Sequence, residues 1–393
     1  MQRMSGGGLS PGGAPPHAGS GWPAVQSLRP VALLAVLLFS RALAVAATPE
    51  PPRPEDEPCR QALTPDGTAA PWALRWSAPD DPQDLAHLRD WCTTTGPPIS
   101  AAEPESRSVG AEPLDELVIV TWNVHVGAAD VDGFVRRLRA GEFTNGRPAN
   151  RFVLLLQEVM RKGDEVPRSG APGVRIPKGV GQSTSVQRHD IVAVAARLGL
   201  ALHYVPSMRN GTLPSANEDR GNAILSTESL TDLTAIELPF GRQRRVAVAA
   251  SIALPGSDCA PQMLRLASVH LEVAARPSHL WLFGRIRQRQ VRDILGALPA
   301  DAPLVVAGDF NTWFGFADSA YKVMARAVPD VGARDRRPTF GRWLRLDHVF
   351  SRPPAGWSAT ARRLDTRFGS DHYPILARVR RLNAPTAACG SAP

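Results

Sequence analysis

Lysine is almost missing from this chain. Only Lys162, Lys178 and Lys322 stand among 45 basic residues, so arginine carries the positive charge. Arginine forks suit phosphate, although an Ala- and Pro-rich composition also reads as codon bias. A phosphate-cradling glycine loop is missing too. Gly6-Gly7-Gly8 does not follow a strand, which removes the nucleotide-binding loops from consideration. Cysteine is scarce, and the spacings of Cys59, Cys92, Cys259 and Cys389 are not those of a zinc site. No internal repeat is present, which excludes the repeat architectures.

What is present divides by charge. Residues 1–47 contain Arg3, Arg29 and Arg41 and no acid, a net +3. Residues 48–113 hold 5 basic and 12 acidic side chains, a net −7. Residues 114–393 hold 37 basic and 25 acidic side chains, a net +12. A basic body suits an anionic substrate.

Residues 1–28 are Gly-, Pro- and Ser-rich. The apolar run Val31–Phe39 follows, then Ala42–Ala47. A short apolar core ending in Ala-x-Ala reads as a secretory signal cleaved near Ala46 or Ala47. The run is too short and interrupted for a clear spanning helix, but an uncleaved anchor over residues 30–47 is the alternative. An exported chain with four cysteines is expected to form disulfides. Cys59 with Cys92 and Cys259 with Cys389 is one pairing, and all three connectivities stay open.

The expected organisation is therefore a leader and signal (1–47), an acidic Pro-rich segment (48–113), a catalytic domain (114–382) and a tail (383–393). Within 48–113, Trp72, Trp76 and Trp91 suggest docking on the main domain. A short helix is expected over Pro82–Trp91 and a linker over 99–113. From Leu117 strands alternate with helices. Strands are expected at 117–122, 152–156, 201–206, 221–226, 245–254, 264–269, 303–307, 346–350, 359–365 and 374–380. Helices are expected at 131–139, 188–198 and 278–298, and polar loops at 161–187 and 207–220. Many strands with few helices predict two sheets packed face to face with helices outside.

The strands end in polar residues. Val305-Val306-Ala307-Gly308-Asp309-Phe310-Asn311 is the clearest case, since alternation aims Asp309 and Asn311 the same way. Asn123, Glu158, His270, Asp347, Asp371 and His372 end other strands or precede them. Oxygen ligands without cysteine suit Mg²⁺ or Mn²⁺. Histidines beside acids suit proton handling near neutral pH.

In order, Thr121-Trp122-Asn123-Val124, Gln157-Glu158, Gly221-Asn222-Ala223-Ile224-Leu225-Ser226, Ser268-Val269-His270-Leu271, Gly308-Asp309-Phe310-Asn311, Leu346-Asp347-His348-Val349-Phe350 and Ser370-Asp371-His372 resemble the endonuclease/exonuclease/phosphatase superfamily. The resemblance covers about residues 115–382. It implies an α/β fold: a four-layer α/β/β/α sandwich of two packed mixed sheets flanked by helices. It also implies a metal-dependent phosphoester hydrolase. Glu158 would be the main Mg²⁺ ligand, with Asn123 and Asp371. Asp309 would orient or deprotonate water, and Asn311 would hold water and phosphate. His372, oriented by Asp347, would donate to the phosphoryl oxygen. His270 matches the second histidine of the deoxyribonuclease-like and sphingomyelinase-like branches.

The family does not set the substrate. Arg161, Arg168, Arg175, Arg188, Arg209 and Arg220 in the two loops favour nucleic acid and a secreted nuclease. A lipid or a small phosphorylated metabolite is the alternative, and the loops carry no long apolar insertion for a membrane. A non-catalytic phosphate-binding protein is the third reading. No protein partner is implied, and a monomer is expected. Arg220 and Asn222 are expected to support substrate.

The helix 278–298 carries a further expectation. Leu282, Phe283, Ile286, Val291, Ile294, Leu295 and Leu298 form one apolar arc, and Arg285, Gln288, Arg289 and Arg292 lie opposite. Arg287 and Gln290 break the apolar arc. Either they snorkel outward or they support the catalytic rim from behind, with Gln290 buried against backbone.

Overall fold

The computed structural model describes residues 58–105, 115–168, 174, 187–211, 217–256, 260–273 and 280–382. The expected signal, the C-terminal tail, Cys259, Cys389 and Arg175 lie outside the described residues.

The seven-stranded sheet has the order β12-β13-β3-β4-β6-β5-β2. Its strands are β2 (Ile99–Ala101), β3 (Glu116–Asn123), β4 (Phe152–Lys162), β5 (Ala201–Arg209), β6 (Glu218–Ser226), β12 (Trp357–Arg363) and β13 (Ile375–Arg381). The six-stranded sheet has the order β1-β7-β8-β9-β10-β11. It comprises β1 (Arg75–Ser77), β7 (Thr231–Glu237), β8 (Val246–Pro255), β9 (Pro261–His270), β10 (Leu304–Asp309) and β11 (Asp347–Arg352). The helices are α1 (Pro82–Cys92), α2 (Val131–Arg139), α3 (Ile191–Leu198), α4 (Leu280–Ala297) and α5 (Ser319–Ala327).

Alternation along β3 explains the layers. Leu117 and Ile119 point between the sheets, where they meet Val153, Leu155, Val248, Leu266 and Val305. Val118, Val120 and Trp122 point outward into a cluster with Phe134 and Leu138 of α2. With both faces covered, the strand reads as one apolar run. Val291 and Ile294 of α4 cover the far face of the other sheet with Met324 of α5. The result is the expected α/β/β/α sandwich.

Several elements differ from expectation. β4 does not stop at Leu156 but continues past a register shift between Leu156 and Val159 to Lys162. β5 and β6 extend into the loop expected over 207–220, because the ladder pairs Met208 with Arg220 and Arg209 with Asp219. The helix expected from Arg188 begins at Ile191, since Asp190 caps it by accepting from Val192 and Ala193 amides. β7 and α5 were not expected, although Ala320, Tyr321 and Met324 of α5 lie on one buried face at helical spacing.

The N-terminal segment is part of the sandwich. β1 pairs in parallel with β7, and β2 pairs antiparallel with β5, so the segment adds an edge strand to each sheet. The linker expected over 99–113 thus opens with a strand. Trp72 and Trp76 pack against the inter-sheet core, Trp91 is buried, and Cys59 is bonded to Cys92.

Candidate active site

Ladder register builds the centre of the site. Asp309 lies opposite His270 of β9 on one side and opposite Asp347 of β11 on the other. Three chemically able side chains therefore share one rung at the sheet end. Gly308 makes this possible. Its φ is +152°, and a Cβ there would come within 1.9 Å of the Val269 carbonyl oxygen.

The second sheet supplies the other half. Asn123, at the end of β3, donates from Nδ2 to Asp309 Oδ2 at 3.1 Å. Ser370 Oγ donates to the Asn123 carbonyl at 2.6 Å and accepts the His372 amide at 3.1 Å. This ties the 370–372 turn to β3. His372 Nδ1 donates to Asp347 Oδ2 at 2.8 Å, while its Nε2 lies 3.7 Å from Asp309 Oδ2. The Asn311 amide donates to Asp309 Oδ1 at 2.9 Å, and Asn311 Nδ2 donates to the Leu271 carbonyl at 3.0 Å.

Burial separates the protonation states. It lifts Asp309 to about 7, against the opposing charge of His372. Burial alone would lower His372, but the carboxylates of Asp347 and Asp309 outweigh it and raise the imidazole to about 10. Burial, with the charges of Arg245, His372 and Arg220, pushes His270 well below its ordinary value. The centre thus joins a carboxylate near neutrality, a charged imidazole and a neutral one.

Glu158 occupies the bulge in β4 with φ +52°, a left-handed conformation that costs a non-glycine residue and recurs at functional sites. Its Oε1 is 3.9 Å from His270 Nε2, and its Oε2 is 3.9 Å from Arg220 Nη1. Asp371 contacts His125 Nδ1 at 3.2 Å. His125 itself has φ +50°, and its amide donates to Asn123 Oδ1 at 3.1 Å.

Donor chemistry decides whether a metal fits. The side chains of Glu158 and Asp371 are 23% and 40% exposed, and among the described residues no arginine closes either with a short ion pair, although His125 Nδ1 lies 3.2 Å from Asp371. With the Asn123 amide oxygen they are hard oxygen donors of the kind that suits Mg²⁺ or Mn²⁺. Asp309, Asp347 and His372 also bring ligand-capable atoms within 4.8 Å of one another. In that group His372 Nδ1 is already bonded to Asp347, which leaves only Nε2 to offer.

Asn222 donates to the Val246 carbonyl at 2.7 Å and thereby fixes β6 to β8. Arg220 lines a pocket with Glu158 and His270. Gln290 is fully buried, accepts the Glu272 amide at 2.9 Å and donates to the Pro239 carbonyl at 3.0 Å. Arg287 is buried but does not reach the rim. Its Nη2 pairs with Asp318, the cap of α5, at 2.8 Å, so it joins helix to helix.

The loop arginines also require correction. Arg161 is buried against Asp219, Arg188 pairs with Glu218, and Arg209 donates to the Pro167 and Gly211 carbonyls. Acids on β6 claim two of the side chains that the sequence offered to substrate, and backbone carbonyls take the third. Conversely, Arg245 was missed. It lines the pocket with Glu158 and His270, because antiparallel pairing sets the start of β8 beside the end of β9. Searching strand starts as well as strand ends would have found it. His125 and the exposed Trp343 were also missed.

The chain matches the Endonuclease/Exonuclease/phosphatase family over residues 120–372. It is 36% identical over 100 residues to a UPF0294 protein of Vibrio cholerae serotype O1, strain El Tor Inaba N16961, which is 24% of this chain and 31% of that protein. The match therefore spans about a third of that relative. Among solved structures, the endonuclease/exonuclease/phosphatase from Beutenbergia cavernae DSM 12333 has a TM-score of 0.47 at 20% identity, covering 70% of this chain and 73% of that one. The AP endonuclease from Archaeoglobus fulgidus has a TM-score of 0.42 at 15% identity, covering 66% and 98%. Sphingomyelinase C from Streptomyces griseocarneus has a TM-score of 0.39 at 16% identity, covering 67% and 99%. These are likenesses of fold and carry nothing about substrate.

Proposed function

The chain belongs to the endonuclease/exonuclease/phosphatase family, and from that premise we propose an exported, divalent-metal-dependent phosphodiesterase that acts on nucleic acid. It is a hydrolase of phosphoester bonds. Glu158, Asn123 and Asp371 would hold the metal, which would supply Lewis-acid stabilisation of phosphoryl charge when bound. Asp309, lifted to about 7, takes a proton from the attacking water and is held by Asn123 and Asn311. His372, kept charged by Asp347, donates to the phosphoryl oxygen from Nε2. Neutral His270 shares the rung with Asp309 and donates from the other side. Arg220 and Arg245 face the same pocket and supply positive charge for phosphate.

One observation carries the nucleic-acid reading. Trp343 is 85% exposed on a turn whose base, Phe340, forms a bridge with His372. Arg342, its neighbour in the chain, and Arg334 and Arg336 earlier in the same connection between α5 and β11 are exposed. An aromatic face among arginines beside a phosphodiesterase centre suits a base and its backbone. The internal pairing of Arg161, Arg188 and Arg209 supports the second reading, a small phosphorylated metabolite or lipid headgroup. The Cys59–Cys92 bond supports export, since such bonds persist in oxidising compartments.

The test offers purified protein with Mg²⁺ or Mn²⁺ plasmid DNA, RNA, sphingomyelin and bis-p-nitrophenyl phosphate in parallel. Cleavage of DNA or RNA with kcat/KM well above that for the small ester is expected. Turnover of sphingomyelin or the small ester alone overturns the nucleic-acid reading.

A further inference from the structure

Residues 58–101 lie outside the family match, yet they press on one loop of the active site. That loop, residues 238–245, joins β7 to β8 and brings Arg245 into the pocket of Glu158 and His270. With its amide oxygen turned to face Arg245, Gln243 of the same loop accepts from Arg245 Nη2 at 2.5 Å. The guanidinium is therefore held from within the loop, so the position of the loop sets the position of the charge.

The loop is gripped from outside. The Phe240 ring stacks on His87 of α1 at 4.7 Å and meets Trp91 at 6.0 Å. Arg60, next to Cys59, donates to Glu237 Oε2 at 2.6 Å, and Arg244 pairs with Oε1 of the same buried carboxylate at 2.6 Å. Arg244 also donates to the Pro206 carbonyl at 2.9 Å. Asp84 of α1 pairs with Arg289 at 2.6 Å, one residue before Gln290, which holds Pro239. The Cys59–Cys92 bond joins the two gripping ends, Arg60 and Trp91, into one cross-linked unit.

We propose that segment 58–92 is a positioning element of the active site, acting through Phe240 and the Arg60–Glu237–Arg244 cluster to place Arg245 beside Glu158 and His270. The rate readout of this proposal rests on the phosphoesterase reading, whereas its structural readout does not. Phe240, in the gripped loop, is the positioning residue through which the segment acts, and Arg245 is the group it positions. A segment that only adds stability would leave the effects of Phe240 and Arg245 independent.

The experiment combines Phe240→Ala, Arg245→Ala and the double variant in kinetics with amide hydrogen exchange over residues 238–246. Phe240→Ala is expected to lower kcat/KM tenfold or more, and Phe240→Trp to restore most of it. Arg245→Ala should then cost little more in the Phe240→Ala background. Exchange over 238–246 should rise in Phe240→Ala and in the paired Cys59→Ser, Cys92→Ser variant, with β9 and β10 unchanged. Leu138→Ala, in α2 on the far side, supplies a comparison with a matched fall in Tm. Additive losses, unchanged exchange in 238–246, or an equal rate loss in Leu138→Ala overturn the proposal. If the unmodified protein hydrolyses no phosphate ester, the functional reading fails, and the exchange pattern alone decides the clamp.

Discussion

Asp347 and His372 are buried partners, with Oδ2 and Nδ1 2.8 Å apart, although 25 residues separate them in the chain. The pair faces Asp309 and keeps His372 charged. Asp347→Asn preserves shape and removes the charge. The expected loss is about 10²–10³-fold in kcat, the usual cost of one preorganised stabilising group. Steady-state kinetics on any turned-over ester checks it, and a loss of less than threefold rules the pairing out of catalysis.

The proposed metal dependence is tested at Glu158, in the bulge of β4. Glu158→Gln keeps the side chain's size but removes the charge that would face the cation, and Asp309→Asn removes the proposed base. Each is expected to lower turnover by at least about 10²-fold, and a chelator should abolish it, with recovery on adding Mg²⁺ or Mn²⁺. Full activity in excess chelator contradicts the metal assignment.

The legible part of this chain was its strand-end chemistry. Asn123, His270 and Asp309 were readable because alternation and apolar runs mark where strands stop, and Asp347 because it opens an apolar strand. Three kinds of residue were harder. Glu158 was expected at a strand end, but it sits in a bulge, and β4 runs on to Lys162. Arg245 sits at a strand start, which becomes part of the rim only through antiparallel pairing. The loop arginines looked available until β6 brought Asp219 and Glu218 to them. A sequence shows charge but not which opposite charge lies across a sheet.

Gln290 tests the rim from behind. Replacing it with leucine strands the Pro239 carbonyl and the Glu272 amide, each at about 1–3 kcal/mol if left unpaired. Glu272 lies two residues past His270, and Pro239 opens the loop that carries Arg245. Gln290→Leu is therefore expected to lower kcat/KM more than a core variant with the same Tm does. Equal losses at equal Tm contradict this.

His203 predicts a pH dependence of stability distant from the catalytic centre. Its ring bridges the sheets, with Nδ1 3.0 Å from Ser100 Oγ and Nε2 3.2 Å from the Thr234 carbonyl. Burial, with Arg265 nearby and against the Thr234 carbonyl, lowers it to about 4. Between pH 4 and its ordinary 6.5 the unfolded chain binds a proton here and the folded chain does not. Stability is thus full above 6.5 and falls with pH, with about 3 kcal/mol lost below 4. Urea melts at pH 7.5 and 4.5 should show a shallower pH dependence for His203→Gln. Parallel slopes contradict the assignment.

Trp343 decides the substrate class. A single exposed tryptophan is unremarkable on a surface, but this one tops the turn whose Phe340 ring lies 4.8 Å from the His372 ring. At 85% exposure it contributes little to folding, so Trp343→Ala should leave Tm within a degree or two. If a base stacks on it, removal costs about 1–3 kcal/mol, at least fivefold in KM for a single-stranded oligonucleotide. A small ester such as bis-p-nitrophenyl phosphate reaches only the centre, so its KM should change far less. Arg342→Ala should weaken oligonucleotide binding for every sequence and reduce the salt slope by about one. The two variants separate base contact from phosphate contact. If neither changes oligonucleotide KM, the rim beside His372 does not hold nucleic acid, and the small-ester reading takes its place.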